Sequence, residues 1–240
     1  MKKDSEKQSG IYIHIPFCVR KCLYCDFLSG PANEREQARY VEALCREISM
    51  ESRCYSKYRV QTIYMGGGTP SLLPGEWTER IMETVRRHYN VGGACEISME
   101  VNPGTLTRER LSSWRRAGIN RLSIGLQSAV NGELKALGRI HTLEDFLDGY
   151  RQIAEAGFEN VNVDLMSAIP GQSLRSWSET LERVLSLRPR PAHISAYSLI
   201  LEEGTPFYEN RPQLPDEDTD REMYKITNDI LSAAGYRRYE

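Results

Sequence analysis

"GIYIHIPFCVRKCLYCDF" (Gly10–Phe27) runs from a strand straight into three cysteines. Its first six residues are apolar, β-branched and aromatic, the composition of a buried strand. Cys18, Cys22 and Cys25 follow with the spacing C-x-x-x-C-x-x-C. Thiolates hold iron–sulfur clusters, and a cubane cluster has four irons. Three protein thiolates leave one iron with an open position, by the logic that leaves a catalytic zinc open to substrate. A structural zinc site with His14 or His88 as fourth ligand is the competing reading. Zinc sites usually pair two short cysteine knuckles, and this sequence has one. The spacing therefore points to a cluster.

The alternation of strand and helix continues outward from that stretch. A helical pattern covers 34–52, "VQTIYMG" (60–66) reads as a strand, and a helix follows from about Glu76 to His88. "CEISMEV" (95–101) precedes a helix over Arg108–Ala117, and "INRLSIGLQ" (119–127) precedes helical segments across Glu133–Ala156. "NVNVDLM" (160–166) precedes a helix around Ser176–Leu187, and "HISAYSL" (193–199) is the sixth strand. Thr107 and Ser173 stand where helix caps belong, and the glycines of "AGI" (117–119) and "AGF" (156–158) stop two helices. Six such units predict an α/β fold, a parallel sheet curled into a partial (β/α)6 TIM-like barrel with right-handed crossovers. Residues 1–9 read as a disordered leader and 10–200 as the barrel. Residues 201–240 read as a Pro-rich connector, a helix over Arg221–Ala234 and a strand-like "GYRRYE". That last part is expected to open a truncated C-terminal domain.

Composition bounds the rest. A hydrophobic share of 40% supports a core, and a formal net charge of −2 without a polybasic block excludes electrostatic nucleic-acid and membrane binders. The leader lacks the apolar centre of a signal peptide, and no run is long enough to span a bilayer. A cytoplasmic protein is expected, and in a reducing compartment its cysteines serve as thiols or metal ligands. Cys45, Cys54 and Cys95 lie apart from the triplet and read as small, partly buried hydrophobes.

"YMGGGTPSLL" (64–73) places Gly66, Gly67 and Gly68 at the end of the second strand, where glycines let a ligand approach the backbone. Ligands gather at the C-terminal ends of parallel strands. Glu100, Gln127 and Asp164 sit in the next three strands, and Arg139 on a following loop. Each alone reads as a hydrogen-bonded strand residue; together they argue for one polar pocket, in which Arg139 meets a carboxylate.

These motifs resemble the radical S-adenosylmethionine superfamily. The finer pattern resembles its coproporphyrinogen-oxidase-like subgroup over about residues 10–210: "YIHIPFC", "GGGTPSLL", "EVNP", "GLQS", "LGRIHT", "VDLM" with "IPGQ", and "YSLILEEGTPFY". The resemblance implies a radical-SAM-type partial barrel with a [4Fe–4S] cluster, whose open iron takes the amino and carboxylate groups of S-adenosylmethionine. It implies Cys18, Cys22 and Cys25 as cluster ligands. It implies Tyr12, Gly67, Glu100, Arg139 and Asp164 around the cluster-bound S-adenosylmethionine. Tyr24, Gly68, Thr69 and Gln127 match positions around a second such molecule in decarboxylating relatives; Ser198 occupies another, with a different residue type.

The subgroup divides at one position. Its oxygen-independent oxidases carry a further cysteine after the triplet, where this chain has Asp26 and Phe27. "CDF" resembles the heme-chaperone (HemW) branch, whose heme site is expected in a C-terminal domain beyond these residues. The resemblance thus implies a heme-binding and transfer protein, with heme and a heme-acceptor protein as partners and the membrane reached only through that acceptor. The oxidative decarboxylase of a porphyrin precursor is the alternative, and a zinc-stabilised α/β domain without redox chemistry is a third.

Overall fold

The computed structural model describes residues 7–239. The strands are β1 (Gln8–Ile15), β2 (Arg59–Gly67), β3 (Asn90–Val101), β4 (Arg121–Gln127), β5 (Asn160–Ser167) and β6 (His193–Ser198). The helices are α1 (Glu34–Tyr55), α2 (Gly75–His88), α3 (Arg108–Arg116), α4 (Asn131–Ala136), α5 (Leu143–Glu155), α6 (Leu174–Leu185), α7 (Pro206–Asn210) and α8 (Glu217–Ala233). Strand order is β1-β2-β3-β4-β5-β6, and the pairs β1–β2, β2–β3 and β5–β6 are parallel. This is the expected α/β architecture, with each strand beside its predecessor in sequence.

The chain forms two compact units. Among the described residues the first holds 7–20, 28–101 and 105–122, and the second holds 21–27, 102–104 and 123–239. In the first unit, period-two alternation gives each strand two unlike faces. Ile13, Ile15, Ile63, Met65, Ile97 and Met99 are buried. Their neighbours Tyr12, Tyr64 and Ser98 stand in one row by register, with His14 and Gly66 paired in the next. In the second unit Val161, Val163 and Leu165 are buried hydrophobes, while Asn162 and Asp164 alternate with them and pair with His193 and Ser195. The apolar faces form the core, and the polar faces carry the candidate residues.

Helix starts follow their caps. Asn33 and Glu36 form a capping box on α1, as Thr142 and Asp145 do on α5. Thr107 caps α3 and Ser173 caps α6, both as expected. Gly118 and Gly157 have left-handed φ of +80° and +79° at the two predicted stops.

Several boundaries differ from expectation. Gln8 and Ser9 belong to β1 rather than to a leader, because they pair with Arg59 and Val60; residues 1–6 lie outside the described residues. β3 starts at Asn90, five residues early, through pairing of Val91 with Val60 across a glycine-rich stretch of weak strand propensity. The Pro-rich connector contains α7, capped by Thr205 with Pro206 in its first turn. The last helix begins at Glu217 because Asp216 caps it, and the Trp177 indole N–H of α6 donates to Thr227 of α8 at 2.9 Å. Residues 236–239 are not a strand. Cys45 and Cys95 are buried as expected, whereas Cys54 is exposed in the last turn of α1.

Candidate cluster and cofactor site

In the first unit the turn after β2 and the turn after β1 are built against each other. Gly68 donates its N–H to Ile15 O at 2.9 Å and Thr69 to Phe17 O at 2.7 Å. A Cβ on Gly68 would stand 2.6 Å from Phe17 O and 3.0 Å from Cys18 Sγ, so glycine is required for the two turns to meet. Gly67 has φ +116°, and a Cβ there would reach within 2.6 Å of the His14 ring. The glycines are therefore held by protein contacts as well as by any ligand's approach.

Glu100, next to last in β3, is fixed by this turn. Its Oε2 accepts from the Gly67 N–H at 3.0 Å and its Oε1 from the Tyr64 hydroxyl at 2.8 Å. Tyr12 stacks on Tyr64 with ring centroids 6.2 Å apart, and its own ring is largely exposed. His14 joins Tyr12 Oη at 3.0 Å through Nδ1 and Leu28 O at 2.9 Å through Nε2. Since a carbonyl only accepts, Nε2 carries the proton and Nδ1 accepts from the tyrosine. With both ring nitrogens engaged, His14 ties the exit of the cysteine loop to β1; it is not poised as a metal ligand. The sequence reading had no such role for His14 or Tyr64, although their even spacing with Tyr12 and Gly66 places all four on the polar face.

The second unit gathers Cys22, Tyr24, Gln127 and Arg139. The Arg139 guanidinium donates to Gly125 O at 3.1 Å, to His141 Nδ1 at 3.3 Å and to Cys22 Sγ at 3.8 Å. Burial works against its charge, but Tyr24 and Cys22 beside it raise its pKa on balance. Burial pushes the Tyr24 phenol up, with Arg139 pulling the other way. A Cβ on Gly125 would meet Gln127 Nε2 at 2.9 Å and Arg139 Nη2 at 3.2 Å, so these side chains lie together over that glycine. Gln127 has a left-handed φ of +69° and accepts from the Tyr197 hydroxyl at 3.3 Å.

Two candidates of this unit stand elsewhere in it. Asp164 is mid-strand in β5, not at its end, and accepts from Ser123 at 2.9 Å and Asn162 at 2.7 Å. Ser198 donates to Asp220 at 2.7 Å and lies 3.1 Å from the Ser167 hydroxyl.

The donor set fits a cluster. Cys18, Cys22 and Cys25 are partly exposed and in no disulfide, and Cys18 Sγ has the Thr69 hydroxyl at 3.7 Å as Cys22 has Arg139. Hydrogen bonds to sulfur are among the levers a protein has on an iron–sulfur centre. Among the described residues no three of His, Cys, Asp and Glu are grouped closely enough for a single metal ion.

His141 provides a check on the unit's electrostatics. Burial, and next the Arg139 charge, hold its imidazole down at about 3. Because the folded value lies below the ordinary 6.5, the unfolded chain binds the extra proton more readily. The stabilisation is complete above pH ~6.5 and is lost as pH falls toward ~3. Unfolding by denaturant is expected to become easier by about 2 kcal/mol between pH 7 and pH 5 from this group. His141→Gln should remove that part of the slope; an unchanged slope would place the acid sensitivity elsewhere.

Comparison with known proteins bears on the family and the fold. The profile of the radical SAM superfamily matches residues 12–184. The heme chaperone HemW of Escherichia coli K12 is 38% identical over 232 residues, covering 96% of this chain and 61% of that protein. HemW of Lactococcus lactis is 35% identical, covering 98% of this chain and 62% of its own length. The chain thus spans about three fifths of the length of these curated relatives. Among solved structures, coproporphyrinogen III oxidase (HemN) of Escherichia coli superposes with a TM-score of 0.87 at 27% identity, over 97% of this chain and 54% of that one. That superposition bears out the expected radical-SAM-type fold. No helix among the described residues is long and apolar enough to cross a membrane. A profile match across more than two thirds of the sequence is decisive: the chain belongs to the radical SAM superfamily.

Proposed function

We propose that this chain is the cluster-bearing part of a heme-delivery protein, binding a [4Fe–4S] cluster on Cys18, Cys22 and Cys25. Tyr12, Gly67, Glu100, Arg139 and Asp164 take S-adenosylmethionine beside it. Tyr24, Gly68, Thr69, Gln127 and Ser198 line the further positions named above. The chemistry of the donors supports this: Glu100 suits an ammonium group, Arg139 a carboxylate, and Asp164 the hydroxyls of a ribose. When bound, the cluster and S-adenosylmethionine supply one-electron chemistry. The chain's own residues position them, with Arg139 and Thr69 aimed at sulfur and Glu100 held by the glycine turn.

One observation carries the choice of delivery over decarboxylation. Cys25 is followed by Asp26 and Phe27, in a chain 38% identical to a protein named heme chaperone. Phe27 is exposed at 57%, so this position offers an apolar ring where the oxidase pattern offers a thiol. The deciding assay incubates reconstituted protein with coproporphyrinogen III, S-adenosylmethionine and a reductant, alongside a heme titration. It is run on this chain and on a protein of the relatives' full length, because the resemblance places heme binding beyond these residues. Stoichiometric heme uptake by the longer protein without decarboxylated product is the expected result. Multiple-turnover formation of protoporphyrinogen would establish the oxidase instead.

A further inference from the structure

The middle of the cysteine loop is gripped from both sides by segments far along the chain. Leu23, between Cys22 and Tyr24, donates its N–H to Leu137 O at 3.1 Å and accepts at its carbonyl from the Phe207 N–H at 3.0 Å. Leu137 caps the C-terminus of α4, and Phe207 is in the first turn of α7. Helix ends leave such carbonyls and N–H groups without partners inside the helix. Here the backbone of Leu23 satisfies one of each.

Gly138 completes the grip. Its φ is +76°, and a Cβ there would stand 2.8 Å from Leu23 Cγ and 3.3 Å from Leu23 N. The turn that ends α4 and the passage of the cysteine loop both require glycine at this point. The next residue is Arg139, whose guanidinium reaches Cys22 Sγ. Behind the loop, Tyr24, Leu201 and Leu214 pack on a buried cluster of Leu137, Met166, Ile169, Leu199 and Phe207. The six-residue α4 is itself anchored by Glu133, a buried carboxylate that accepts from Ser128 at 2.6 Å and Gln172 at 3.0 Å.

We infer that the α4 turn and residues 199–214 form a clasp on the cysteine loop, with Gly138 and Phe207 as positioning residues that set how firmly the cluster is retained. The segment that reads as a connector in sequence is then a wall of the cluster site. This rests on the reading that the three cysteines hold the cluster.

The experiment follows release of iron from the reconstituted 240-residue protein to a chelator, by loss of visible absorbance. Gly138→Ala should speed release by roughly tenfold, since it adds a methyl in a left-handed position and against Leu23. Leu23→Ala removes the Cγ that the new methyl would strike, so Gly138→Ala should speed release clearly less in that background than in the wild type, the left-handed strain alone remaining. Left-handed strain with no clasp would show no such partial rescue. Phe207→Ala should also speed release. Leu181→Ala, at a fully buried position in α6, should lower the melting temperature of the cluster-free protein comparably without speeding release. Wild-type release rates in Gly138→Ala, failure of the rescue, or equal acceleration by Leu181→Ala would overturn the clasp while leaving the cluster in place. A wild-type protein that takes up no cluster would overturn the cysteine assignment, and the clasp with it.

Discussion

Replacing Cys18, Cys22 and Cys25 by alanine is expected to abolish iron binding, from about four irons per reconstituted chain to none. The three sulfurs are equivalent in the sequence but not in the structure. Cys18 belongs to the first unit, where Thr69 donates to its sulfur, while Cys22 and Cys25 belong to the second, where Arg139 donates to Cys22. Single replacements should therefore differ. Cys22→Ala removes both a ligand and one of the three acceptors of a buried guanidinium, whose hydrogen-bonding group is then left short of a partner. It should destabilise the cluster-free protein as well, whereas Cys18→Ala, whose neighbour is a neutral hydroxyl, should not. Cys45, Cys54 and Cys95 lie outside the loop, and replacing all three should leave iron content unchanged. Anaerobic reconstitution with iron analysis and visible absorbance tests the set. Stoichiometric zinc without iron uptake, or iron retained by the triple variant, would sink the assignment.

The strands and the cysteine loop were legible because their signals are local. Alternation, helix caps and cysteine spacing can all be read within a window of a few residues, and the caps at Thr107 and Ser173 stand where expected. The polar faces were legible too. "YIHI", "TIYMG", "EISME" and "NVNVD" each alternate apolar with polar or small residues, which marks strands with two unlike sides. Reading them mainly as buried apolar strands missed His14 and Tyr64, whose partners Leu28 and Glu100 lie 14 and 36 residues away. Reading 201–220 as connector missed α7 for a related reason. Its Pro and Gly content matches a linker, yet the Phe207 N–H has its partner at Leu23. No window on that segment could have contained Leu23.

The contacts of Gly67 also determine how S-adenosylmethionine binding is best tested. A bulky residue at Gly67 would strike the His14 ring and adopt an unfavourable φ of +116°, so its failure to bind would say little about a ligand. Glu100 gives the cleaner experiment. Glu100→Ala is expected to weaken S-adenosylmethionine binding to the reconstituted protein at least tenfold. A charge-assisted hydrogen bond contributes about 1.5–3 kcal/mol, and ~1.4 kcal/mol is tenfold in affinity. Alanine also removes the acceptor that the Gly67 N–H and the Tyr64 hydroxyl use, so part of its effect reaches the turn. Glu100→Gln separates the two. The amide oxygen can still accept from the Gly67 N–H, but it offers no negative charge to an ammonium group. If Glu100 binds the ligand, the glutamine variant should keep its melting temperature and still lose about tenfold in affinity by calorimetry. If the carboxylate serves only to brace the glycine turn, glutamine should bind S-adenosylmethionine as the wild type does, and the pocket would have to be sought around Arg139 alone.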